Sequence, residues 1–208
     1  MTDSTLTARR AHTRDRLLDA ALEIFAAKGV QAATVEEICE RAGFTRGAFY
    51  SNFESKDDLC VAAFRRFVAD AEQTVRAAVD VVPQTLGDEA QLPDVLDAAL
   101  GVALDKGIAA PTRVLAQLEI RLHFLRNPHL ADKAPKLGGT NAIFVELLDN
   151  ELQRIRFGLR LPTAQAIDLL GCVLESHTMR GSDPAMIHAL MRDTLKAMIV
   201  RLDGACQA

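Results

Sequence analysis

Between Thr34 and Lys56 the chain reads T-V-E-E-I-C-E-R-A-G-F-T-R-G-A-F-Y-S-N-F-E-S-K, and no other stretch constrains the fold so tightly. Thr34 and Glu37 stand at capping-box spacing: the hydroxyl accepts from an orphan backbone N–H, and the carboxylate accepts from the cap's own N–H. A helix therefore starts at Val35, with Val35, Ile38, Cys39 and Ala42 returning at helical spacing. Gly43 falls where a helix stops in a turn that needs φ > 0. Thr45 is a second N-cap, and from Arg46 to Ser51 only Gly47 opposes a helix. Two short helices joined by a glycine elbow make a helix-turn-helix, whose second helix can enter the major groove of DNA.

The residues of that second helix suit such a use. Phe49, with Ile38 and Ala42, can pin the two helices together, which leaves Thr45, Arg46, Gly47 and Tyr50 facing outward beside the small Ala48. Arginine can bond a guanine edge in bidentate fashion, while hydroxyls and a helix N-terminus suit phosphate oxygens. Ser55 caps a further helix, with Asp58 at the box position and Lys56 in the first turn. The dipole of a helix prefers an anion there. A DNA phosphate would supply one.

The string T34-V-x-x-I38-x-x-x-A42-G43-F44-T45-x-G47-x-F49-Y50-x-N52-F53-x-S55-K56-x-x-L59 closely resembles the DNA-binding signature of TetR-family transcriptional regulators. The resemblance covers about a quarter of the chain, with turn, caps, aromatic pair and lysine in register. It implies an all-α homodimer that binds a palindromic operator and is released, as a repressor, by a small molecule. Residues 1–55 would then be the DNA-binding helix-turn-helix domain and 56–208 the effector-binding and dimerisation domain. The resemblance also makes Thr34, Thr45, Tyr50 and Lys56 phosphate contacts, and Arg46, Gly47 and Phe44 base-reading positions. Asn52 stands where the family commonly has His.

At 208 residues with a hydrophobic share of 49% the chain can bury a sizeable core. A net charge of −4 argues at first against a nucleic-acid partner. Residues 1–56, however, hold as many basic as acidic side chains. Arg9, Arg10, Arg14 and Arg16 open the first helix, where they either reach phosphates or form a solvated face. The absence of a long apolar run and of a signal-peptide pattern predicts a soluble, cytoplasmic protein. Cys39, Cys60, Cys172 and Cys206 lack metal-ligand or disulfide spacing, and buried packing is expected of the first two. No nucleophile elbow, zinc-protease motif, P-loop, dinucleotide fingerprint or paired Glu-x-x-His occurs. No enzymatic activity, metal or cofactor is therefore expected. The alternative is a helical protein-interaction module whose helix-turn-helix only packs.

Residues 1–8 are polar and read as disordered without DNA. A helix comes next, from about Arg10 to Lys28, with Leu18, Ala21, Leu22, Phe25 and Ala26 on one face and a stop at Gly29. Further helices are predicted over 56–79, 94–106 and 111–126, the last with Val114, Leu115, Leu118, Leu122 and Leu125 as its core stripe. Residues 80–93, rich in Pro, Gly and polar groups, form a linker, and Pro135 with Gly138-Gly139 interrupts the chain before a helix over 140–157 that Gly158 ends. The last helices are expected over 163–178 and, opened by Asp183-Pro184, over 184–202.

Those final two helices are the expected dimer seam, through Ile167, Leu170, Gly171, Leu174, Ile187, Leu190, Met191, Thr194 and Met198. Small residues there let helix axes approach, which serves an internal core equally well. The resemblance favours dimerisation, since two copies are needed to set recognition helices roughly 34–36 Å apart. For the effector pocket the candidates are Phe67, Gln117, Arg121, His123, Phe124, Asn141 and Phe144, an apolar cavity with a few polar groups and an apolar or amphipathic ligand. Arg113, Gln117 and Arg121 share a helix face that is either solvated or anion-binding, and Glu119 with His123 lacks a third metal ligand.

Overall fold

No proline or glycine interrupts the chain between Thr2 and Lys28, and in the computed structural model this run is a single helix, α1 (Thr2–Ala32). The structure describes residues 2–82, 92–130 and 142–202, with side chains from 8 onward and, in the last segment, from 145. α1 thus begins at Thr2, earlier than the polar composition of residues 1–8 suggested, because nothing in that segment breaks a helix. The expected stop is present: Gly29 adopts φ 83°, ψ 159°, and one more turn comes after it.

After α1 come α2 (Val35–Ala42), α3 (Arg46–Tyr50), α4 (Lys56–Asp80), α5 (Leu92–Asp105) and α6 (Pro111–Arg126), the last succeeded by a 3-10 turn at Pro128–Leu130. Then come α7 (Ala142–Arg154), β1 (Phe157–Leu159), α8 (Thr163–Met179), α9 (Pro184–Met198) and β2 (Ile199–Arg201). The expected breaks at Pro135 and Gly138-Gly139, and most of the 80–93 linker, lie outside the described residues.

The chain divides into two compact units, one of residues 1–67 with 112–137 and the other of 68–111 with 138–208. In the first, Leu17, Leu18, Ala21 and Phe25 of α1 are buried, as are Ile38, Phe49, Phe53 and Leu59. Phe64 of α4 meets Phe124 of α6 edge-on at 5.7 Å. The core stripe of α6 is therefore not the leucine run. Val114, Ala116, Ile120 and Phe124 are buried, whereas Leu115 and Leu122 are each 40% exposed and Leu125 is 69% exposed. α6 is apolar on two sides, and periodicity alone does not say which side packs.

In the second unit α5, α8 and α9 pack together, with Leu100, Ile187 and Met191 buried against Leu170, Val173 and Leu174. A second cluster joins Leu92, Leu96, Ile155, Phe157 and Ile199. Here the long helices expected over 140–157 and 184–202 end early. Arg156 turns the chain at φ 63°, and Phe157–Leu159 pairs antiparallel with Ile199–Arg201. Ile199-Val200 is β-branched and suits a strand, and Gly158 sits inside the pair, where a Cβ would come within 3.2 Å of Leu202.

Candidate nucleic-acid interface

The turn between α2 and α3 is built from backbone hydrogen bonds before any side chain is considered. Gly43 sits at φ 74°, ψ 32°; its N–H donates to the Glu40 carbonyl at 3.1 Å and the Phe44 N–H to that of Cys39 at 2.9 Å. This pair is the Schellman pattern, which needs a left-handed residue where Gly43 stands. At the other end of α2 the Thr34 hydroxyl accepts from the Glu37 N–H at 3.2 Å, and the Glu37 carboxylate accepts from the Thr34 N–H at 3.0 Å. The same hydroxyl donates to that carboxylate at 2.9 Å. Thr34 is exposed, so its hydroxyl serves the cap while remaining at the surface.

Lys28 pairs with Glu37, and together with the Thr34 N–H it lowers the carboxyl from its ordinary 4.5 to about 2. A depressed folded-state value means that the box contributes fully above about 4.5 and is lost as pH falls toward about 2. Glu37→Gln is expected to flatten the dependence of melting temperature on pH across that interval. An acid limb as steep as that of the unsubstituted chain would refute the carboxylate's part.

Thr45 starts α3 by accepting from the Ala48 N–H at 3.3 Å. Phe49 is fully buried and touches Phe53, centroid to centroid 5.6 Å, so the opposite face of the five-residue helix is turned outward. On that face Arg46 is 61% exposed and bridges to Glu36 of α2 at 2.7 Å. Its guanidinium lies 6.0 Å from the Tyr50 ring centroid, and the Tyr50 side chain and then Glu36 strengthen its hold on its proton. Tyr50 is half exposed. Gly47 has no positive φ, and a Cβ there would meet only the Thr45 hydroxyl at 3.7 Å. The fold makes no demand for glycine at that place, and within a helix glycine costs about 1 kcal/mol relative to alanine. Phe44 is half-buried, with the Arg16 guanidinium 5.5 Å from its ring.

Two of the candidates turn inward. Asn52 donates from Nδ2 to the Ala48 carbonyl at 2.8 Å, and its Oδ1 is buried without a partner among the described residues. Lys56 donates to the carbonyls of Val30, Gln31 and Ala33 at 2.7, 3.3 and 2.8 Å. The partners of Lys56, like Glu36 beside Arg46, are far from it in sequence and leave no local pattern to read.

Five effector candidates belong to the first unit. Phe67 is buried with the Arg113 guanidinium 4.9 Å from its ring, and Phe124 is buried against Phe64. His123 Nε2 lies 2.8 Å from Asp57 of α4, while Gln117 and Arg121 are half-buried on α6. Asn141 lies outside the described residues, and Phe144 is placed by its backbone only, in α7. Among the seam candidates Ile187, Met191 and Met198 are buried within their own chain. Ile167, Leu170, Gly171, Leu174 and Thr194 are half-buried, and Leu190 is exposed. Cys39 and Cys60 are buried, and desolvation raises both thiols, Cys60 to about 12, which keeps them protonated and unreactive at neutral pH. Among the described residues no three His, Cys, Asp or Glu side chains form a metal cluster, and no helix is long and apolar enough to cross a membrane.

Residues 17–63 match the family model described as bacterial regulatory proteins, tetR family. The HTH-type transcriptional regulator SrpR of Pseudomonas putida is 51% identical over 55 residues, which is 26% of each chain. The HTH-type transcriptional repressor KstR2 of Rhodococcus jostii is 36% identical over 64 residues, 31% of each. The match thus spans about a quarter to a third of these curated relatives' length. Among solved structures, the fatty acid degradation regulator FadR of Bacillus halodurans aligns with TM-score 0.63 at 21% identity, over 93% of this chain and 96% of that one, a likeness of fold.

Proposed function

We propose that the chain, whose residues 17–63 match the family model of bacterial regulatory proteins, tetR family, is a TetR-type repressor that binds a palindromic operator as a homodimer and is released by a small molecule. The observation that carries this reading is the outward face of α3. Arg46 stands exposed on a helix fixed at its start by Thr45 and on its inner side by Phe49, beside a glycine that the fold itself does not need. Glycine there lets a groove wall approach the backbone closely, and a guanidinium beside it can take both acceptors of a guanine.

Arg46→Ala is expected to cost about 1–3 kcal/mol on the preferred duplex and to relax its sequence preference. Glu36 faces Arg46, so the loss of the arginine also leaves a carboxylate turned toward phosphates; the double variant with Glu36→Gln separates the two effects. Equal losses on preferred and random duplex in both backgrounds would count against base reading. The wider experiment is a salt titration on a duplex selected by the chain. A regulator of this kind gives a steep slope of log K against log salt. Indifference to every duplex at low salt would leave the helical interaction module as the better reading.

For the dimer the support is the apolar surface on α8 and α9, where Leu169, Met179, Met186 and Leu190 are exposed. For release the support is α4, a helix of 25 residues of which 56–67 belong to the first unit and 68–80 to the second. This reading assigns DNA binding to residues 1–55 and effector binding and dimerisation to 56–208, although 56–67 and 112–137 fall in the same compact unit as 1–55. An apolar or amphipathic ligand that favours a different pose of α4 would draw the recognition helices out of operator spacing. Such a ligand raises the melting temperature and lowers DNA affinity together. A molecule that does the first without the second is not the effector.

A further inference from the structure

A helix of five residues has almost no stability of its own, since nucleation costs more than so few hydrogen bonds return. The orientation of α3 must come from ties to the rest of the first unit. Its start is capped and its inner face is held by Phe49. At its far end the carbonyls of Gly47, Ala48 and Phe49 accept from Ser51, Asn52 and Phe53, so the hold on that end passes to the residues just beyond the helix. Two arginines of α1 reach the carbonyls just past that end, of the C-cap Ser51 and of Asn52: Arg10 Nη2 donates to Ser51 O at 2.9 Å, and Arg14 Nη1 donates to Asn52 O at 2.9 Å. The Arg14 guanidinium also lies 4.3 Å from the centroid of Phe53, which is itself buried. Spaced i, i+4, the two share one face of α1, and the next turns anchor that helix through Leu17, Leu18, Ala21 and Phe25. Cations at a helix C-terminus also suit its dipole.

We propose that Arg14, with Arg10 as a second arm, is a positioning residue for DNA reading: it braces the C-terminal end of the recognition helix through the Asn52 carbonyl and the Phe53 ring, and does not act as a phosphate contact. The inference rests on the DNA-binding reading of α3. A brace of this kind sets the angle at which Arg46 meets a base edge, so its loss spreads the helix over several poses. Sequence-specific binding, which needs one pose, weakens; backbone attraction, which tolerates many, does not.

The test uses the full chain, a duplex that the unsubstituted chain selects from a randomised pool, and a scrambled duplex of the same composition. Arg14→Gln and Arg14→Lys are each expected to lower the ratio of selected to scrambled affinity roughly tenfold, the size of one charge-assisted hydrogen bond. The scrambled affinity and the salt slope stay as they were. Lysine keeps the charge but is not planar, so it cannot lie flat on Phe53 while it donates in plane to the carbonyl. A slope shallower by about 1, with equal losses on both duplexes, would make Arg14 a phosphate contact and overturn the proposal. So would a lysine variant with an unaltered ratio. Should the Arg14 variants fail to fold, Arg10→Gln, at an exposed position, is expected to lower the ratio about threefold with an unaltered melt, the share of a solvent-screened bond. An unaltered ratio there overturns the brace. Failure of the unsubstituted chain to bind any duplex sinks the DNA-binding reading itself, whereas binding with unaltered ratios in the variants sinks only the brace.

Discussion

Phe49→Ala is expected to unfold the N-terminal unit, not merely to weaken its function. The ring is fully buried, 5.6 Å from Phe53 and 5.3 Å edge-on from Tyr50 by centroids. Truncating a buried phenylalanine to alanine typically costs about 3–5 kcal/mol, because the lost transfer energy is joined by the cavity left behind. A domain stable by about 5–15 kcal/mol retains little after such a loss. The site can collapse only poorly, since the cap at Thr45 and the Schellman turn at Gly43 fix the start of α3. A thermal melt monitored by circular dichroism should show the early loss of a helical fraction. A curve that overlays that of the unsubstituted chain would refute the central place given to this ring.

Lys56→Met is expected to cost about 2 kcal/mol without any DNA present, the magnitude of partly buried hydrogen bonds to a charged donor. Methionine keeps the aliphatic stem and removes the donors, leaving the carbonyls of Val30, Gln31 and Ala33 without their common partner. By sequence the residue looks misplaced, a cation in the first turn of α4 where the dipole prefers an anion. Its ammonium is directed instead at the C-terminal end of α1, where a cation is favoured. Any phosphate contact made by Lys56 would come from an ammonium already engaged by three carbonyls. A variant with an unaltered melting temperature and a shallower salt slope would show that the phosphate, and not the helix end, is what the lysine serves.

The α2–α3 region was legible because its signals are local. The capping box at Thr34 and Glu37, the left-handed Gly43 and the caps at Thr45, Ser55 and Asp183 each act within five residues, and each has its expected partner. The starts of α4 and α6 at Lys56 and Pro111 come from the same kind of reading. α6 shows where such reading stops, for both of its sides satisfy a helical period and tertiary contacts with α4, such as that of Phe124 with Phe64, select one. The β1–β2 pair was missed because each strand spans three residues and gains its hydrogen bonds from a partner some forty positions away.

Short-range hydrogen bonding and period were therefore enough to set a helix-turn-helix with the Arg46 face of α3 outward, and to make the remainder of the chain helical in character. Which partner each charge would take was left to packing: Arg46 with Glu36, Arg14 with the Asn52 carbonyl, Lys56 with the end of α1. A cation pairs with any acceptor within reach, and reach across separations of ten to 38 residues is set by how the helices pack, which no local pattern encodes.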